Sequence, residues 1–293
     1  MRGEDRPKVA ADSTEKVILR LKTLCGLKHG QPHITFKHLS ASCARLLAAD
    51  IVTSSSVTQL NLQENTLGFE GGRAISLGIR ANTSLVEVNV EGFALPVLQL
   101  KGLEPVPNNK LDLSSKKLGQ ASAVLIASVI GAEATAFNAL RVLNLRNNEI
   151  DDIGLSALSG AVADGAMGWL ERLFLNKNHI GNVGLTAFAE AIKAKRMNML
   201  KELGISLNRI GDPGLHALTT VIKAGMLPCL TAIEVFPNPA SSEAQEGLAN
   251  FVNKKKRMPK LSPRKLGSGD PSYLSHRSGT EGALSHRSGT SAG

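Results

Sequence analysis

The chain has 293 residues, of which 42% are hydrophobic, 20% charged and 3% aromatic, with a net charge of +9. That is enough apolar mass for a large core, but the core must be assembled from Leu, Ile, Val and Ala. Three cysteines, Cys25, Cys43 and Cys229, argue against a disulfide framework, and no run approaches the roughly 18 apolar residues of a membrane span. The opening MRGEDRPKVAADSTEK carries acids and a proline where a secretory signal needs an apolar stretch. A reducing setting is expected, cytoplasmic with the nucleus as second choice. Asn82-Thr83-Ser84 is then an idle glycosylation sequon.

In chain order, residues 1–56 read as an N-terminal segment and a capping repeat. DSTEKVILRLKTLC, residues 12–25, predicts a helix with Val17, Ile18, Leu21 and Leu24 on one face and Gly26 as its stop. ITFKHLSASCARLLAADIV, beginning at Ile34, reads as a degenerate strand and helix. Between and within these lie Cys25, His29, His33, His38 and Cys43. Zinc accepts such ligands, but their spacing follows no standard finger and Gly30 and Pro32 break any helical register, so a capping loop is the preferred reading and no metal is expected.

Residues 57–257 repeat themselves. LRVLNLRNNEI from Leu140, LERLFLNKNHI from Leu170 and LKELGISLNRI from Leu200 share the template LxxLxLxxNxI at a spacing of 30. Its central apolar positions alternate as a short strand requires. Leu60, Val88, Leu111, Leu143, Leu173, Leu203 and Ile233 mark seven copies, the first intervals being 28, 23 and 32. After each strand comes a phrase such as GLTAFAEAI, whose Leu185, Phe188 and Ile192 fall on one helical face. Asp151, Asp152 and Asp212 lie near these helix starts, where a carboxylate caps exposed N–H groups.

A unit of about 30 residues buries one face only, so it must stack on its neighbours. The stack predicts one parallel sheet with helices outside it. Because helices pack wider than strands, the array bends into a horseshoe with its strands on the concave side. SSEAQEGLANFVNKKKR predicts a closing helix with Ala244, Leu248 and Val252 inward. Residues 258–293 form a Ser/Gly-rich basic tail, too poor in large apolar residues to order itself, in which LSHRSGT occurs twice. From Lys254 onward nine Lys and Arg face two acids, so most of the net charge sits there.

The template and the helical phrase resemble the leucine-rich repeat proteins of the ribonuclease-inhibitor type, the type found in NOD-like receptors and in the GTPase activator of Ran. The resemblance covers about residues 57 to 253 and implies an α/β horseshoe solenoid. It further implies that Asn65, Asn148, Asn178, Asn208 and Asn238 close the backbone turns inside the stack. Phe93 and Lys116 depart from that pattern, and regular geometry is least expected between them.

No phosphate loop, HExxH or GxSxG elbow is present, and neither a catalytic residue nor a cofactor is expected. The leading reading is a non-enzymatic interaction scaffold that binds another protein on its concave face. Arg146, Arg172, Phe174, Lys177 and Phe236 form the expected patch, stacked on neighbouring strands by the 30-residue period. A Ran-type GTPase activator is the enzyme-linked alternative, although its long acidic tail is replaced here by a basic one. Nucleic-acid or anionic-surface association through the tail is the third, thinly supported because Tyr273 is its one aromatic residue. Within the basic run, Lys254, Lys255, Lys256 and Arg257 suit an electrostatic address such as nuclear import.

Overall fold

The computed structural model describes residues 30–130, 140–194 and 197–257, the side chains of 255–257 excepted. The chain divides into two units, Met1–Arg257 and Met258–Gly293, and the second lies wholly outside the described residues. So do the helix expected over residues 12–25 and two of the five possible metal ligands, Cys25 and His29.

Strand and helix alternate through the first unit. The order is β1 (His33–Thr35), α1 (Ala41–Thr53), β2 (Gln59–Asn61), α2 (Gly68–Ala81), β3 (Glu87–Asn89), β4 (Ala94–Pro96) and α3 (Val97–Leu100). It continues with β5 (Lys110–Asp112), α4 (Gln120–Ile130), β6 (Val142–Asn144), α5 (Asp152–Ala163), β7 (Arg172–Phe174), α6 (Asn182–Ala194), β8 (Glu202–Gly204), α7 (Asp212–Lys223), β9 (Ala232–Glu234) and α8 (Ser242–Arg257). All seven template copies form strands, and the degenerate copy at Ile34 forms β1. Among the described residues no helix is long and apolar enough to cross a membrane.

The expected single sheet is divided. β1, β2 and β3 pair in parallel, and β5 to β9 form a second, wholly parallel sheet in sequence order. Between them β4 turns back antiparallel on β3. The third repeat therefore has a hairpin and the four-residue α3 where the others have a full helix, and α2 packs directly on α4. One buried core, running from Ile34 to Val252, is continuous across the break.

Two ladders tie the repeats together. In the first, Asn178 donates from Nδ2 to the carbonyls of Leu145 (2.9 Å) and Leu175 (3.0 Å) and accepts at Oδ1 from Ile150 N–H (3.1 Å). Asn208 repeats this on Leu175, Ile205 and Ile180, and Asn148 on Leu113, Leu145 and Leu118. Asn65 bonds Phe36, Leu62 and Leu39, and Asn238 bonds Ile205, Val235 and the N–H of Asn208. These groups are backbone atoms of a loop packed inside the stack, where an unmet donor or acceptor is expensive. The residue just before four of the five ladder positions turns the chain with a positive φ, at Glu64, Asn147, Lys177 and Leu207.

The second ladder joins helix starts. Asp151 caps its own helix through Gly154 N–H (2.9 Å). Asp152 instead reaches forward one repeat, its Oδ1 accepting from Gly181 N–H (2.6 Å) and Gly184 N–H (2.8 Å). Asn182 does the same for Gly211 and Gly214, both within 3.0 Å. A Cβ on Gly184 would lie 2.7 Å from Asp152 Oδ1 and 2.9 Å from its Cα, so glycine is what lets adjacent helix starts approach. Ala244 ends this column. Asp212 there accepts from Ser241 N–H alone (2.7 Å), Ala244 N–H turns to Ser241 Oγ, and a groove of about 430 Å³ opens between α7 and α8. At the break, where the third repeat has no full helix, Glu91 takes over the capping of α4, accepting from the N–H groups of Gly119, Ala121 and Ser122.

The sequon residue Asn82 is 1% exposed, with Nδ2 donating to Ile51 and Ser54 carbonyls and Oδ1 accepting from Ser84 and Leu85 N–H. In the folded chain its amide is committed.

Candidate functional site

Strand alternation sends Leu143, Leu173 and Leu203 into the core and their neighbours outward, so the outer face of the second sheet carries parallel rows. One row is Lys110, Val142, Arg172, Glu202 and Ala232, and the next is Asp112, Asn144, Phe174, Gly204 and Glu234. Just beyond the strands, at the same 30-residue spacing, follow Arg146, Asn176, Ser206 and Phe236.

A hydrogen-bonded network crosses four of these strands. Arg146 lies over the Phe174 ring, its guanidinium carbon 4.5 Å from the centroid. Arg146 Nε donates to Asn176 Oδ1 (2.9 Å) and Nη2 to Glu234 Oε2 (2.5 Å). Asn176 Nδ2 donates both to Glu234 Oε2 (2.8 Å) and to Ser206 Oγ (2.7 Å). Arg146 is thus a paired cation. Room for Asn176 to lie across its neighbour exists because residue 204 is glycine, where a Cβ would sit 2.1 Å from Asn176 Oδ1.

The remaining patch residues differ in setting. Arg172 is exposed, and Lys177 is exposed at a turn outside the strand. Phe236 is 46% exposed, and Leu207, which donates its N–H to Pro237, is 52% exposed. Phe174 and Arg146 are in contact, whereas Arg172 lies on β7, Lys177 in the turn after it and Phe236 just past β9.

Two further polar clusters edge the sheet. On β5 burial pushes the Asp112 carboxyl up, but Lys110, Ser114 and Asn144 hydrogen bonds outweigh it and hold the group well below the usual carboxylate range. Lys110 Nζ lies 2.7 Å from Asp112, and Ser114 Oγ donates to it at 2.6 Å. Before β7, a Lys201 hydrogen bond at 2.7 Å, with Arg141 nearby, lowers the Glu171 carboxyl. Arg141 also lies over Trp169, 5.6 Å from its ring.

Among the described residues no group of three or more His, Cys, Asp or Glu is arranged to hold a metal ion, and His33, His38 and Cys43 are each exposed. Of the basic run, Lys254 is exposed on α8 and the side chains of 255–257 are outside the description.

Strand alternation turns Asn176, Ser206 and Glu234 outward but does not show that Asn176 bonds the other two, and it does not single out Gly204 or Glu91. The signal for Gly204 was available: the row it interrupts holds a side chain on every other strand.

The leucine-rich repeat family pattern matches residues 53–76, 138–159, 169–189 and 196–218. No curated protein matches the sequence. Among 61 matching solved chains is the Leiomodin-1 Actin-Binding Site 2 (ABS2), at 14% identity and a TM-score of 0.44, over 55% of this chain and 86% of that one. With strands paired in parallel and helices between them, the chain carries leucine-rich repeats in an α/β leucine-rich repeat solenoid.

Proposed function

We propose that this protein is a non-enzymatic interaction scaffold of the ribonuclease-inhibitor type, and that its partner, another protein, docks on the concave outer face of the second sheet. The observation that carries this reading is the combination of a pre-set polar network with exposed apolar and cationic side chains around it. Arg146, Phe174, Asn176 and Glu234 are already immobilised by mutual contacts, so binding there forfeits little side-chain freedom. Leu207 and Phe236 offer apolar area, and Arg172 and Lys177 offer charge, the mixture that favours interface hot spots. The repeat period, with helices of 11 to 14 residues from α1 to α7 apart from α3, supports the ribonuclease-inhibitor type.

The test is affinity capture from native cells with the full chain, compared with Arg172→Ala/Phe236→Ala and with Val183→Ser on the exposed side of α6. Captured partners should be lost with the sheet-face variant and retained with the helix variant. The reverse pattern would move the interface to the helices.

A further inference from the structure

Resting on that reading of the sheet face, we propose that Arg146 and Asn176 form a carboxylate-recognition fork that the protein's own Glu234 fills in the unbound state. The partner inserts an acidic side chain in its place.

Both donors converge on a single oxygen, Glu234 Oε2, at 2.5 Å from Arg146 Nη2 and 2.8 Å from Asn176 Nδ2. Their convergence does not depend on Glu234. Phe174 supports the guanidinium from below, the Arg146 Nε bond to Asn176 fixes its plane, and Ser206 Oγ takes the second Asn176 proton. Gly204 leaves the space through which Asn176 crosses. Remove the Glu234 side chain and the fork remains, pointing at a vacated carboxylate position.

Glu234 is also the member most readily exchanged. Its side chain is 43% exposed and that of Arg146 is 40% exposed, so water reaches the pair and screens it. Exchanging one carboxylate for another leaves every donor satisfied, whereas an apolar side chain would strand two of them and a neutral amide would forgo the charge-assisted bond. The surroundings favour an incoming acid: with Glu234 displaced, Arg146, Arg172 and Lys177 stand against Glu202 of the neighbouring row, while Glu171 is paired with Lys201 and Arg141, and Asp112 with Lys110. Leu207 and Phe236 then cover the apolar part of the incoming segment. The occupant is therefore an acidic segment of a partner protein that carries apolar residues beside its acid.

Isotope-labelled full-length protein provides the test, read on the Asn176 side-chain amide and Arg146 Nε–H signals. In Glu234→Ala, sodium acetate should shift both signals saturably while sodium chloride at equal ionic strength does not, and adding Arg146→Ala should abolish the response. In the second arm a hexaglutamate peptide ending in Phe should bind Glu234→Ala roughly fivefold more tightly than wild type, the weight of a half-exposed ion pair. The matching hexaglutamine peptide should show no such preference. Acetate and chloride acting alike, or equal affinity of the acidic peptide for both proteins, overturns the fork. If that happens while capture still depends on Arg172 and Phe236, the sheet-face reading stands without it. If acetate binds but capture ignores those residues, the sheet face is not the interface and the assignment to a partner falls.

Discussion

The ladder asparagines show how much one side chain can close. Asn178 satisfies two carbonyls and one N–H, all buried, and alanine would leave them without partners. Asn178→Ala should lower stability by about 1 to 3 kcal/mol, and a urea midpoint indistinguishable from wild type would contradict that role. Asp112 gives a residue-scale pH dependence. Its folded carboxyl titrates below the ordinary Asp value of 3.8, so its contribution to stability is complete above that value and is lost as pH falls below it. The difference in unfolding free energy between wild type and Asp112→Asn should therefore shrink below about pH 4 and stay level above about pH 5. At this scale the sequence discloses what repeats. Five asparagines in one column are visible on paper, and so are the outward positions of Arg146, Asn176 and Glu234. The bonds among those three depend on a diagonal reach across strands and on the gap at Gly204, and no single position's spacing records that.

Element by element, the alternation of strand and helix was legible because each repeat switches from two-residue to helical periodicity at the same point. The hairpin of β3 and β4 was not, although the interval of 23 residues between Val88 and Leu111 is too short for a strand, a full helix and two connections. Pro96, which has no N–H to give a ladder, also argued against a strand at Ala94–Pro96, and the structure accommodates it on the outer edge of its sheet. The helix-start column carries a sharper test. Because a Cβ at residue 184 meets backbone as well as carboxylate, α6 cannot yield without moving from α5. Gly184→Ala should cost about 1 to 3 kcal/mol, and Gly160→Ala, whose Cβ meets open space on α5, should not lower the melting temperature. Equal effects would mean that helix propensity, rather than close approach, governs the column.

For the molecule as a whole, the two ladders make residues 182–211 an interchangeable part. Asn182 caps Gly211 and Gly214 as Asp152 caps Gly181 and Gly184, so a second copy of 182–211 placed after the first meets the same contacts at both of its junctions. Such a lengthened chain should fold, with its melting temperature retained, and should contain one more strand between β8 and β9. The network around Arg146 is less forgiving. The added strand moves Glu234 away from Asn176 by about 4.8 Å and puts a second Gly204 where the carboxylate was, so the Arg146 Nε–H signal should report a lost ion pair. Each added unit should repeat the contacts of the one before it, but the proposed fork exists at one count only, and on that proposal the number of repeats is itself an element of specificity that no point substitution would reveal.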